Sequence, residues 1–208
     1  MDKIDIVYYI NLDYRTDRKQ EFLEWIEESG FPDSKIERIS AIHTPGRGHL
    51  GALLSHTKTL ELFITSGKNN CIIFEDDYVP LDTKSYWTNY QKLFDSGKKF
   101  DVVMGSYNIL ESVETDLDYL RKVSQSYTAS CYLITKEFAP KLLALWKECK
   151  DLMIQEEELT KKKSNQYCLD VHWSKLVTQS EWFCFYPRIG VQRPSFSDLQ
   201  GHYTSYNA

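Results

Sequence analysis

The chain has 208 residues, 42% hydrophobic and 26% charged, a composition that suits a soluble globular domain with a sizeable core. A net charge of -5 lays down no basic footprint, which argues against nucleic acid as the main partner, and no apolar run approaches the ~20 residues of a membrane span. Met1-Asp2-Lys3-Ile4-Asp5 leads into a strand pattern instead of a signal peptide, and five scattered cysteines form no Cys-x-x-Cys pair; buried free thiols and a reducing, cytoplasmic location are expected.

In chain order, Ile4 to Ile10 reads as the first strand. From Asp17 to Ser29, the spacing of Phe22, Trp25, Ile26 and Ser29 predicts a helix stopped by Gly30 and Pro32. Ile36 to Ile42 is a second strand, and His43-Thr44-Pro45-Gly46-Arg47-Gly48-His49 is a loop. Leu50 to Thr65 is helical, with Leu53, Leu54, Thr57, Leu60 and Ile64 as its core stripe. Cys71 to Phe74 reads as a buried strand that runs into Glu75-Asp76-Asp77. Phe100 to Gly105 and Cys131 to Thr135 are further strands. Glu137 to Lys150 is a helix with Leu142, Leu145, Trp146 and Cys149 inward, Asn165 to Thr178 is a last helix, and Trp182 to Pro187 is an edge or late strand. Tyr107 to Gln125 is less periodic and reads as a loop or a hairpin covering the sheet. Glu156 to Lys163 reads as a solvated helix face or a mobile loop, with Glu157–Lys161 and Glu158–Lys162 in favourable i, i+4 order. Strands and helices alternating through the first half predict parallel crossover units and an α/β fold.

The acids after Phe74 carry the most information. Ligand crevices in open α/β sheets lie beyond the carboxyl ends of the strands. If the chain stays extended, Glu75 and Asp77 share one side and Asp76 takes the other, and two acids together can hold a divalent cation that bridges to phosphate. The plain alternative is a solvated acidic turn. Arg15 and Arg18, after the first strand, are placed to neutralise a diphosphate, or else are surface charges beside a helix capped by Asp13 or Thr16. Gly46-Arg47-Gly48-His49-Leu50-Gly51 matches G-x-G-x-x-G, which keeps an NAD-dependent oxidoreductase as the rival reading, although Pro45 and its neighbours separate the strand from the first glycine. Ser55 and His56 sit inside a helix, where a lone histidine is usually structural, and no nucleophile-elbow pattern exists.

Read together, these segments resemble glycosyltransferase family 25, which includes lipooligosaccharide and procollagen galactosyltransferases. The likeness rests on Tyr9-Ile10-Asn11-Leu12 with Arg15 and Arg18, Ile39-Ser40-Ala41-Ile42, Gly51-Ala52-Leu53-Leu54-Ser55-His56 and Ile73-Phe74-Glu75-Asp76-Asp77, in that order. Looser matches follow at Thr128-Ala129-Ser130-Cys131-Tyr132-Leu133-Ile134, Asp170, Pro187, Gln192 and Ser195-Phe196-Ser197-Asp198. Ala52 stands where members often have Cys, and many members are longer.

The resemblance implies a GT-A fold: a single-domain nucleotide-binding, Rossmann-like sheet with flanking helices, with a nucleotide and metal half over about residues 1–110 and an acceptor half over 111–208. It implies inverting transfer of a hexose, commonly from a UDP-sugar, to a hydroxyl of a glycan or collagen-like protein, with manganese or magnesium at a DxD-type site. In that frame Asn11, Leu12, Arg15, Arg18, Ala41, Ser55, His56, Glu75 and Asp76 surround the nucleotide. Asp77 is a direct metal ligand, and Glu75 acts through water or the ribose. His202, or in its place Asp198, is a further ligand, and Asp170 is the catalytic base. A non-catalytic sugar-nucleotide or glycan-binding module is the third reading.

Overall fold

The protein is described by a computed structural model covering residues 1–197 and 202–204, of which the side chains of 109, 110 and 195–197 are outside the description. The elements are β1 (Ile6–Asn11), α1 (Thr16–Glu28), β2 (Ile36–Ser40), α2 (Gly48–Thr65), β3 (Asn70–Glu75), β4 (Tyr78–Pro80), α3 (Tyr86–Asp95), β5 (Val102–Met104), β6 (Asn108–Glu114), β7 (Leu120–Tyr127), β8 (Cys131–Thr135), α4 (Ala139–Thr160), α5 (Leu169–His172), α6 (Ser174–Val177), β9 (Trp182–Phe185), β10 (Gly190–Gln192), β11 (Ser195–Ser197) and β12 (His202–Thr204). Eight strands form one sheet in the order β2-β1-β3-β8-β5-β9-β7-β6, while β4 pairs with β10 and β11 with β12. Only β8 and β7 oppose the common direction. This is the expected α/β domain, a mostly parallel sheet flanked by helices.

Strand alternation sorts the core onto the two faces of the sheet. Tyr8, Ile10, Cys71 and Ile73 pack with Leu53, Leu60 and Phe63 of α2 and with Leu142, Trp146 and Met153 of α4. Val7, Tyr9, Ile72 and Phe74 pack on the other side with Phe22, Trp25 and Ile26 of α1 and with Tyr86, Trp87, Tyr90 and Leu93 of α3. Phe22 stacks on Tyr9 at 4.5 Å between ring centroids. Each such fully buried large side chain contributes roughly 1.5–3 kcal/mol. With both faces covered, β3 reads as an unbroken apolar run, as central strands of this kind do. The five cysteines are buried and free. Among the described residues no helix is long and apolar enough to cross a membrane.

Several elements differ from the sequence reading. The buried face of α2 is rotated: Leu54, Thr57 and Ile64 are half-buried, whereas Ser55, His56 and Thr59 are buried. Apolarity alone assigns such a stripe wrongly when buried polar groups find partners. The 107–125 segment does not cover the sheet; β6 and β7 form a hairpin that extends its edge. β9 lies inside the sheet, between β5 and β7. α4 runs ten residues past Lys150, because no breaker precedes Thr160 and Met153 adds an inward contact. The expected last helix is split into α5 and α6 at Trp173, whose indole N–H bonds the Ser126 carbonyl at 3.0 Å. α3 has no counterpart in the sequence reading, although Tyr86, Tyr90 and Leu93 carry its period.

Candidate functional site

The connection from β1 leads outward to β2, and β3 then pairs on the other side of β1. The strand order therefore reverses between β1 and β3, and a crevice opens beyond the carboxyl ends of strands at such a switch point. A cavity of about 170 Å³ occupies this place. Its walls are Leu12 after β1, Ala41, Ile42, His43 and Thr44 after β2, Gly48, Gly51, Ala52, Ser55 and His56 of α2, Arg18 of α1, and Glu75, Asp76, Asp77 and Gln192.

The carboxylates are held individually. The chain turns at Asp76 and Asp77 instead of staying extended, so the simple alternation of the three acids does not survive. Arg18 Nη1 donates to Asp76 Oδ1 at 2.9 Å and to Asp77 Oδ2 at 3.2 Å. Asn11 Nδ2 donates to Asp76 Oδ2 at 2.7 Å, and the Asn11 Oδ1 accepts from Arg38 Nε at 2.9 Å, which fixes the amide. Gln192 Nε2 donates to Asp77 Oδ2 at 3.2 Å because the β4–β10 pairing carries Gln192 to the turn. Glu75, the last residue of β3, meets His56 Nε2 at 3.1 Å, and His56 Nδ1 meets the buried Tyr132 hydroxyl at 3.0 Å. Asp77 Oδ1 is buried and has no hydrogen-bond partner among the described residues.

Electrostatics follow from this crowding. Burial pushes Asp77 up to about 7, Glu75 and Asp76 add to the rise, and Arg18 and Gln192 oppose it. Burial also raises Asp76, against Arg18 and Asn11. For Arg18, burial works against its charge, but Asp77 and Asp76 outweigh it and its pKa rises. Three carboxylates, Glu75, Asp76 and Asp77, thus share the cavity wall with one buried guanidinium, Arg18.

Ser55 is a loop clamp. Its hydroxyl accepts the Ile42 N–H at 2.8 Å and donates to the Gly51 carbonyl at 2.7 Å. Gly51 is required by close approach, since a Cβ there would stand 2.6 Å from the Ile42 carbonyl and 2.7 Å from Thr44 Oγ1. Gly51 thus serves loop-to-helix packing, and residues 41–47 intervene between β2 and α2, unlike the tight turn of a dinucleotide fingerprint.

Asp170 lies on a neighbouring cavity of about 550 Å³, which shares Gly48 with the first. Its carboxylate accepts the Thr128 N–H at 3.0 Å, and burial raises its pKa against that bond, with Glu75 adding to the rise. Of the other expected residues, Asn11 lies beneath the cavity as a brace for Asp76, and Arg15 pairs with Asp17 at 2.8 Å. His202 is exposed in β12 and is not among the described residues lining either cavity. Asp198 lies outside the described residues. Tyr132, Arg38, Arg47 and Thr128 are not among the site residues expected from the sequence; their parts depend on contacts that no local pattern announces.

Among the described residues no group of three or more His, Cys, Asp or Glu is arranged to hold a metal. Magnesium-like ions at phosphate sites commonly take only one or two carboxylates and complete their shell with phosphate and water. The orphaned Asp77 Oδ1, with Glu75 close enough to raise the Asp77 pKa, fits that smaller requirement.

No protein-family model and no curated protein matches the chain. Among solved structures it is similar to A197 from STIV (TM-score 0.48, 11% identity, covering 87% of this chain and 81% of that one). It is also similar to mannose-1-phosphate geranyltransferase from Thermus thermophilus (TM-score 0.45, 9% identity, 92% and 74% covered) and to apo-UDP-glucose pyrophosphorylase (TM-score 0.46, 8% identity, 86% and 72% covered). Likeness at this level assigns neither a family nor an activity.

Proposed function

We propose that the protein is a metal-dependent, inverting glycosyltransferase of the family 25 type with a GT-A fold, moving a hexose from a UDP-sugar to a hydroxyl of a glycan or collagen-like acceptor. One observation carries the reading. The four sequence blocks behind the resemblance, far apart in the chain, meet at one cavity beyond β1, β2 and β3, and bring to it a buried carboxylate oxygen that has no hydrogen-bond partner among the described residues.

Asp77 and Glu75 would hold manganese or magnesium, and the ion supplies Lewis-acid neutralisation of the charge that develops on a departing diphosphate. Arg18 and Asn11 keep Asp76 and Asp77 in place. Leu12 and Ala41 supply apolar wall, and the backbone N–H groups that open α2 at Gly48 suit phosphate oxygens. The acceptor oxygen bonds to the anomeric carbon as its proton passes to Asp170. The bond from that carbon to the diphosphate oxygen breaks with its electron pair on the diphosphate, and Asp170 later returns the proton to solvent. A carboxylate raised by burial is a stronger base at neutral pH than an exposed one, which suits this role.

The test is a panel of UDP-sugars assayed for UDP release with and without manganese, in the wild type and in Asp77→Ala. Manganese-dependent release that the variant abolishes is expected. Release from no UDP-sugar, together with thermal stabilisation by NAD without metal, would overturn the proposal in favour of the redox reading.

A further inference from the structure

The cavity beside Asp170 differs in chemistry from the acidic one next to it. Arg47 and Glu157 reach across it and pair at 2.6 Å, so their charges cancel locally. Lys163 and Asp170 are opposed in sign, which leaves no excess charge to draw an anion. What remains is hydrogen-bonding and aromatic: the amides of Asn108 and Asn165 and the half-buried ring of Tyr127. Asn108 and Tyr127 are cross-strand partners in the β6–β7 hairpin, so the amide and the ring are held side by side at one lip. Carboxylate and amide groups beside an aromatic face recognise hydroxyl-bearing rings: the polar groups fix orientation and the ring covers an apolar sugar face.

Thr128 adds an independent observation. Its φ of 80° lies in the left-handed region, which β-branched residues rarely adopt. Strained backbone of this kind concentrates at ligand sites, and here the strained residue supplies the N–H that holds Asp170. Gly48 lines both cavities, so the space that holds the anchored carboxylate adjoins the first.

We infer that the second cavity is the acceptor subsite and that it takes a neutral, polyhydroxylated ring sugar, with Tyr127 beneath the ring and Asp170 at the hydroxyl nearest Gly48. The acceptor role rests on the transferase reading; the preference for a neutral sugar rests on the cavity's own lining.

Saturation-transfer NMR with lactose and methyl hexopyranosides, against glucose 6-phosphate and N-acetylneuraminic acid as anionic arms, tests it, with UDP affinity measured calorimetrically on the same samples. Tyr127→Ala removes the ring and Asn165→Trp fills the cavity from an exposed position. Neutral sugars are expected to bind, each variant to weaken them by about tenfold, and UDP affinity to stay within about twofold. Preference for the anionic sugars, neutral-sugar affinity unchanged in both variants, or UDP binding with no neutral sugar bound overturns the inference and leaves the transferase reading standing. Neutral-sugar binding that both variants weaken, in a protein that does not bind UDP, removes the transferase reading and keeps the sugar site. Binding of neither defeats both.

Discussion

Replacing Asp77 by Asn should make the metal-free protein more stable. In the folded state the carboxyl is pushed from an ordinary 3.8 to about 7, chiefly by burial and then by Glu75. A carboxylate with a raised folded pKa destabilises the fold wherever it must ionise. Its relative stability is complete below pH 3.8 and is lost as pH rises through about 7. The interval amounts to several kcal/mol at slightly alkaline pH, and more than half of it accumulates between pH 5 and pH 8. Asn keeps the size of the side chain and removes the charge, so Asp77→Asn should gain several kcal/mol at pH 8 and much less at pH 5. The gain is reduced by whatever the amide fails to return to Arg18 and Gln192. Urea unfolding of both proteins at the two pH values, in chelator, measures it. A variant less stable than wild type at pH 8, or a difference that does not change with pH, would refute the assignment of buried, frustrated charge to this corner. With manganese and UDP added, the order should shift: the wild type gains stability that the variant does not.

Arg18→Met strands two buried carboxylates and should cost about 3–5 kcal/mol at pH 8 by urea unfolding, with most of the loss restored when Asp76 and Asp77 are also changed to Asn. Gly51→Ala improves helix propensity yet drives a Cβ into the Ile42 carbonyl; a net loss of about 1–3 kcal/mol is expected, with weakened UDP binding as the 42–44 segment shifts. Leu60→Ala, in the fully buried core away from the cavity lining, should cost about 2–5 kcal/mol and leave UDP affinity unchanged below the melting transition, which calorimetry on the folded variant checks.

Much of the scaffold is legible in the sequence because its signals are local. An apolar run such as Cys71 to Phe74 can only be a buried strand or a short helix, and the three acids that follow mark its end wherever the strand is placed. Gly30, with its φ of 71°, stops α1 as the sequence announces. The stripe of α2 departs from its sequence reading for a related reason. Periodicity weighs Leu54 and Ile64 by apolarity, but Ser55, His56 and Thr59 are buried because Ile42, Tyr132 and the Ser55 carbonyl satisfy them.

Taken alone, the sequence determined the α/β alternation, the first three crossover elements and the acids at the edge of the third strand, since neighbours two to four residues apart decide strand and helix periodicity. The tertiary structure alone decided the rest: the insertion of β9 between β5 and β7, the capture of Asp76 and Asp77 by one buried arginine, and the strained peptide that holds Asp170. Arg18 is 58 residues from Asp76 and Gln192 is 115 from Asp77. Which buried charge finds which counter-ion depends on how the packed layers close, and no local pattern encodes that closure.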